Sequence, residues 1–565
     1  MGLAVAALAC GMVAPIAMGE QKKSVDEADV VRQLDIFNSV YKELNTFYVD
    51  TLNPKKNIEN AINGMLDEID PYTEYIPSTD RSDFMVISTG EYGGIGSYIQ
   101  PRPEGGVMIS GPYEGSPATK AGLRCGDHII AIDGDSCGTW SSDSVSRRLK
   151  GQPNTTISVT VARPYEQDSI HTFSITREKI KIDPVQYYGV ERGNLGYINL
   201  STFNEHSAEQ VKQALLQFQK NPAVKAVVLD LRGNGGGLLD EAVKIVGFFV
   251  PKGTQVLQTK GRDVQNLKTY KTSEEPLWPD VKLAVLIDGG TASASEITAG
   301  ALQDLDRAVV LGSRSFGKGL VQATRPLPFD GMLKVTISKY YIPSGRLIQE
   351  IDYSHRNADG EAQRIPDSLT TVFHTAHGRE VRDGGGITPD IKVEYPEVSR
   401  LVYNIVRYNW AFNYATKWAS EHPTIGPARD FKVTDEMYAD FKKFIDPKKF
   451  NYDKVCEQGL DALRKLAKQE GYMNDSTTAA FDHLERLLKH DLSHDLDINR
   501  KRIEPILASE IVKRYYYERG NIENTLVTDE TVDKAEQMLA KPGEYEKILG
   551  LNAPKTTTSK SKKKK

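Results

Sequence analysis

Lys282-Leu283-Ala284-Val285-Leu286-Ile287-Asp288-Gly289-Gly290-Thr291-Ala292-Ser293-Ala294-Ser295-Glu296 is the stretch from which the centre of this chain can be read. Lys282 to Asp288 is a short apolar run with polar ends, the pattern of a strand buried on both faces. From Ser293 through Leu305 the residues favour helix. Ser293 therefore falls at a strand-to-helix turn, where free N–H groups of a helix N-terminus attract anions. The amide of Ala294 is expected there to hold an oxyanion.

Lys318, in Phe316-Gly317-Lys318-Gly319, follows 25 residues later (318 − 293 = 25). A serine beside a desolvated amine can attack amide bonds without a histidine. An ordinary lysine, with a pKa of about 10.4, must fall to roughly 7 to 8 to act as the base. That shift costs about 4 kcal/mol at ~1.36 kcal/mol per unit. Burial is the available means, because removing water penalises the ammonium form, and the flanking glycines let backbone pack closely. Gln322 lies four residues on, where one helical turn would return its amide oxygen to the lysine nitrogen. The competing reading of Ser293 is a plain helix N-cap.

A third segment bears on the same chemistry. Lys225 to Asp230 reads as another buried strand, followed by Leu231-Arg232-Gly233-Asn234-Gly235-Gly236-Gly237 and an apolar-periodic helix from Leu238 to Phe249. Such glycine crowding permits close approach of backbone amides to a bound chain. The spacing of a phosphate-binding loop is absent. The blocks Asp230 to Gly237, Ala292 to Ile297, and Gly317-Lys318-Gly319 with Gln322 together resemble the signature of the carboxyl-terminal processing peptidases, or tail-specific proteases. The resemblance implies that Ser293 is the nucleophile, Lys318 the general base and Gln322 its support. It also implies an oxyanion hole from Ala294 with Gly235 or Gly236, and an α/β core of the crotonase and ClpP-like type.

A second module is read independently. Ser116-Pro117 opens, and Gly122 closes, a short helix, while Gly126 to Gly134 reads as a strand ending in a turn. Gly93-Gly94-Ile95-Gly96 supplies a glycine loop before it. The arrangement resembles a PDZ domain, which binds a peptide as an added strand with its carboxylate on the glycine-loop amides. Val145 and Leu149, at i and i+4, are expected either to line the peptide pocket or to be core. Arg163 matches the arginine that contacts the active site in the family, against the reading of a solvated strand-edge residue.

The boundaries are drawn as 1–19 signal peptide, 20–85 helical region, 88–179 PDZ-like unit, 180–395 peptidase core, 396–551 helical domain and 552–565 lysine-rich tail. A chain of 565 residues exceeds what one core supports. Val30 to Tyr48 carries an apolar helical stripe, Ser207 and Gln210 read as a capping box on a helix reaching Phe218, and Leu333 to Ser338 alternates as a strand.

Net charge −5 with interspersed signs leaves no nucleic-acid footprint. Met1 to Met18 is apolar with Ala17-Met18-Gly19 as a cleavage site, though it lacks basic residues at its start, so export to the periplasm or cell envelope of a bacterium is expected. A lipid anchor at Cys10 is the lesser reading. Cys125 and Cys137 are placed to pair within the PDZ-like unit without sequence settling it. His483, His490 and His494, at intervals of seven and four, would present imidazoles from one helix face, but no spacing motif completes a zinc site, so neither metal nor cofactor is expected.

The expected partners are proteins and peptides with accessible C-termini. Peripheral membrane contact through the tail and homodimerisation are secondary expectations. Two other classes fit parts of the sequence, a crotonase-like acyl-thioester enzyme and an inactive peptide-binding scaffold.

Overall fold

The computed structural model describes residues 27–262, 267–357, 360–394 and 397–551. The expected signal peptide, the Cys10 anchor and the lysine-rich tail lie outside them. Two units are distinguished, Met1–Glu68 and Ile69–Lys565.

In the first unit the expected helical region is two helices, Glu27–Phe47 and Pro54–Asp67. Asn53 starts the second, its side chain accepting from the Lys56 amide at 3.1 Å, and Pro54 occupies the first helical position.

The second unit is built around a six-stranded sheet in the order Val185–Glu191, Leu195–Leu200, Ala226–Asp230, Lys282–Ile287, Val309–Gly312, Ile391–Lys392. The first pair is antiparallel and all later pairs are parallel. Ala226 to Asp230 is buried at every position, as its unbroken apolar run requires of a strand covered on both faces. One face packs against helices Ser207–Gln219, Leu239–Gly247 and Ala294–Asp304 through Val227, Leu229, Val285 and Ile287. The other face, with Val228, Ala284, Leu286 and Leu311, is closed by Val532, Ala535, Leu539, Tyr545 and Leu549. The last helices, Glu530–Ala540 and Glu544–Ile548, are thus the second cover of the sheet. Ser207 and Gln210 do not form the expected capping box. Ser207 Oγ accepts from the Asn204 amide, while Gln210 reaches across to the Val185 amide at 3.1 Å.

A second sheet lies beside the first. Met332–Tyr341 is its long strand, pairing with Glu74–Ile76, with Gln255–Gly261 and with Leu320–Pro326. The PDZ-like sheet runs Ser97–Pro101, Val107–Pro112, His128–Ile132, Thr156–Ala162, Ile170–Thr176, so among the described residues Ser97–Pro101 is an edge strand, paired on one side. Ser116 caps the helix Pro117–Ala121, and Gly122 ends it at φ 97°.

Among the described residues, Cys125, Cys137 and Cys456 are free, so the pairing considered for Cys125 with Cys137 is absent. No helix among the described residues is long and apolar enough to cross a membrane.

Leu286 lies wholly buried beneath the C-terminal cover. Leu286→Ala is expected to lower the unfolding free energy by about 3 kcal/mol, read from urea transitions. A loss well under 1 kcal/mol would mean that the cover is not packed on this face.

Candidate active site

Ser293 occupies the turn between Lys282–Ile287 and Ala294–Asp304 with φ 56° and ψ −115°. A serine at positive φ is uncommon, and such strain is held only where neighbours over-determine it. Here the neighbours are identifiable. The Ser293 amide donates to Glu296 Oε2 at 2.9 Å, Tyr340 Oη donates to the Ser293 carbonyl at 3.3 Å, and the Ala292 amide donates to the Asn234 carbonyl at 3.0 Å.

Glu296 is fully buried and accepts four hydrogen bonds. Its Oε2 takes the amides of Ser293 and Lys318, each at 2.9 Å. Its Oε1 takes the Gly317 amide at 2.7 Å and Ser315 Oγ at 2.6 Å. Because one oxygen receives both amides, the nitrogens of residues 293 and 318 lie within twice that bond length of each other. Tyr340 repeats the link, its hydroxyl also reaching the Lys318 carbonyl at 2.7 Å. Burial pushes the Glu296 carboxyl up to about 7, while its donors pull it down.

Lys318 is half-buried, and its Nζ lies 4.3 Å from the centre of the Tyr72 ring. Burial first, and the Lys334 ammonium second, pull its pKa down to about 8 against Glu296, Asp70 and Glu74. The flanking glycines are needed for space. A Cβ on Gly317 would come within 2.6 Å of Glu350 Cβ, and one on Gly319 within 2.9 Å of the Gln349 amide.

Gln322 departs from its expected setting. It stands on the strand Leu320–Pro326, not on a helical turn, and its Nε2 donates to Thr336 Oγ1 at 3.1 Å. A spacing of four residues keeps one side of a strand as well as of a helix, so the interval alone did not discriminate.

The glycine loop is joined to the serine turn. Asn234 is buried, its carbonyl accepting from Ala292 and from Ser295 Oγ at 2.9 Å, and its Nδ2 donating to the Leu200 carbonyl at 2.7 Å. Asn234 Oδ1 takes the Gly236 amide at 2.9 Å. Among the described residues the amides of Gly235 and Ala294 have no acceptor. A Cβ on Gly236, at φ 97°, would lie 2.7 Å from the Ala292 carbonyl oxygen and 2.8 Å from Ser293 Cβ. Of these two glycines, Gly236 commits its amide to Asn234 while Gly235 keeps its own unengaged among the described residues, and the lack of a Cβ at Gly236 lets the loop approach the serine turn.

Arg232, next in the loop, is clamped between Asp230 and Asp529, the latter at 2.7 Å. Glu296, Asn234 and Tyr340 are site residues that the sequence blocks alone do not reveal. Only Glu296 carried a local signal, the Ser-x-x-Glu spacing of a capping box.

In the PDZ-like unit, Gly93 and Gly94 belong to a strand paired with Glu178–Lys181. Ile95 and Gly96 follow it as the turn, with Gly96 at φ 74°, and their amides have no acceptor among the described residues. Val145 (0% exposed) and Leu149 (5%) belong to the core of the unit, so they form no open pocket in this conformation.

Arg163 fits neither of its expected settings. It is buried at 8% exposure, pairs in a fork with Asp127 at 2.8 Å and bonds the Gly122 carbonyl, fastening the PDZ-like unit internally. His483, His490 and His494 share no helix face. Helices Asp475–Leu488 and Leu492–Ile498 are separate, and His490 Nδ1 pairs with Glu457. No cluster of metal-binding side chains occurs among the described residues.

A serine peptidase core with an attached PDZ domain and a helical C-terminal domain accounts for this architecture. Residues 194–354 match peptidase family S41, 108–163 a PDZ domain, and 401–539 the C-terminal helical domain of PDZ-proteases. A CtpA-like serine protease of Staphylococcus aureus (strain COL) is 30% identical over 494 residues, covering 86% of this chain and 88% of the relative. The carboxy-terminal-processing protease of Bartonella bacilliformis is 37% identical over 340 residues, covering 60% and 77%. Among solved structures, the photosystem II D1 C-terminal processing protease aligns with TM-score 0.36 and 26% identity over 65% of this chain and 94% of that one. The chain belongs to peptidase family S41, the carboxyl-terminal processing serine peptidases.

Replacing Glu296 by glutamine keeps the shape but turns one oxygen acceptor into an amide donor facing N–H groups. Glu296→Gln is expected to lower kcat about a hundredfold through displacement of the two backbones, with the chain still folded by circular dichroism. Unchanged kcat would remove Glu296 from any role in alignment.

Proposed function

We propose that the chain is an endopeptidase with a Ser293/Lys318 dyad, and that its PDZ-like unit captures the C-terminal segment of unfolded or exported proteins. The observation that carries this reading is the shared Glu296 oxygen, which holds the serine and lysine backbones together. Neutral Lys318 takes the proton of Ser293 Oγ as it attacks the peptide carbonyl. The amides of Ala294 and Gly235 receive the oxyanion, the amine departs with the transferred proton, and water then releases the acyl group from the serine.

Gln322 acts through Thr336, keeping the strand beside Lys318 in place rather than bonding the lysine itself. The captured peptide adds along the free edge of Ser97–Pro101, its carboxylate on the amides of Ile95 and Gly96 and its last side chain entering once Val145 and Leu149 part. Export rests on the apolar start of the chain, and a mature N-terminus at Glu20 in cell-envelope fractions is its check.

The decisive experiment is incubation with an alkylated, permanently unfolded protein. Fragments are expected with the intact chain and none with Ser293→Ala or Lys318→Arg, whose guanidinium cannot give up its proton at working pH. Full cleavage by either variant would overturn the dyad.

The pH dependence follows from the lowered lysine pKa. The reactive base is the deprotonated form, so kcat/KM is expected to rise with pH through a midpoint near 8 and to be lost below it. A profile flat from pH 6 to 9 contradicts Lys318 as the base.

A further inference from the structure

The hairpin that begins beside Lys318 ends in a feature its own fold does not explain. Strands Leu320–Pro326 and Met332–Tyr341 pair antiparallel and are joined by Leu327-Pro328-Phe329-Asp330-Gly331. The Gly331 amide donates to the Pro328 carbonyl at 3.4 Å, and the Leu327 amide to the Gly331 carbonyl at 2.8 Å. Both central residues, Phe329 at φ 57° and Asp330 at φ 60°, are left-handed. Positive φ at both places marks a type I′ turn, whose favoured pair is Asn-Gly. A bulky aromatic residue there is an outlier. Phe329 is also 95% exposed, so it gains no burial in return. Leu327 beside it is partly exposed as well, and among the described residues the side chain of Asp330 is met by Arg81 at 3.8 Å. Backbone preference and solvent both oppose phenylalanine at this position.

The hairpin edge gives the occupant. Leu320–Pro326 pairs on one side with Met332–Tyr341, and no strand lies on its other side among the described residues. That unpaired edge starts two residues after Lys318 and runs to the Phe329 turn. At about 3.4 Å per residue, a chain laid along it from the lysine end meets the tip after about nine residues, roughly 31 Å. Unpaired edges recruit extended chains by main-chain hydrogen bonds, and an exposed aromatic at the far end supplies an apolar anchor.

We propose that Phe329, with Leu327, is an exosite that grips an apolar segment of the unfolded substrate about nine residues from the bond being cut. The proposal rests on the peptidase reading of the site beside it. It gives the hairpin two tasks, holding the base at its root and the substrate at its tip.

The test is the double variant Phe329→Asn, Asp330→Gly, which installs the favoured turn. It is expected to raise the melting temperature. KM for an alkylated unfolded protein should rise about tenfold, with kcat unchanged, and cleavage of a chromogenic pentapeptide, too short to reach the tip, should be unaltered. On a Ser293→Ala background, fluorescence anisotropy should show the same tenfold loss of affinity for the labelled unfolded protein.

Unchanged KM and affinity overturn the exosite. So does a lowered melting temperature with both substrates slowed, which marks a purely structural tip. Conversion of a dimer to monomers by the double variant would assign Phe329 to a second copy. Loss of binding to vesicles containing phosphatidylglycerol would assign it to a membrane. Either assignment, with the unfolded protein held as before, overturns the proposal. If the intact chain cuts neither substrate, the peptidase reading fails and the exosite with it, whereas cleavage with unchanged KM and affinity overturns the exosite alone.

Discussion

A buried carboxylate is the constraint on which the catalytic arrangement depends. Glu296 sits without solvent and is surrounded by donors on both oxygens. A buried carboxylate tolerates such a place only when hydrogen bonds replace the lost water. The donors come from two chain segments distant in sequence. Solvating the carboxylate and bringing the serine turn to the lysine loop are therefore the same event. Tyr340, buried and bonded to the carbonyls of the same two residues, closes the arrangement from the opposite polarity. The strained backbone of Ser293 is tolerable because both its amide and its carbonyl are held.

The chemistry of Lys318 follows from the same crowding. Glycines on either side let the loop come close against Gln349 and Glu350, and it is the exclusion of water that lowers the pKa. The Tyr72 ring face beside the nitrogen attracts the ammonium form and so works against the shift. Aspartate and glutamate neighbours at Asp70 and Glu74 oppose the shift, and Lys334 favours it. A pKa of about 8 is the balance among these groups.

What could be read from sequence was local. The doubly apolar runs at Ala226 to Asp230 and Lys282 to Ile287 announced strands with two covered faces, and the glycines around Lys318 announced close approach. The family blocks named Ser293, Lys318 and Gln322. Periodicity did not say what covered the second face, because that cover arrives some 240 residues later. The spacing of Lys318 and Gln322 fits a helix and a strand equally well, and the strand prevailed because Met332–Tyr341 was available to pair with it. Arg163 was judged by its place on a strand end, whereas its partner Asp127 lies on another turn and could be found only in three dimensions. Val145 and Leu149 illustrate the same limit, since a pocket wall and a core residue share one sequence pattern until the opposing strand is placed.

The late position of the cover has a bearing on how the enzyme comes into being. A polypeptide leaving the ribosome completes its serine turn, its lysine loop and the parallel strands between them well before residues 530–549 are made. Until then Val228, Ala284 and Leu286 have no lid, and Arg232, beside the glycine loop, lacks Asp529. A chain made only as far as the lysine loop therefore leaves one apolar face of its central sheet without its packing partner. Closure of the central sheet waits until residues 530–549 have been made.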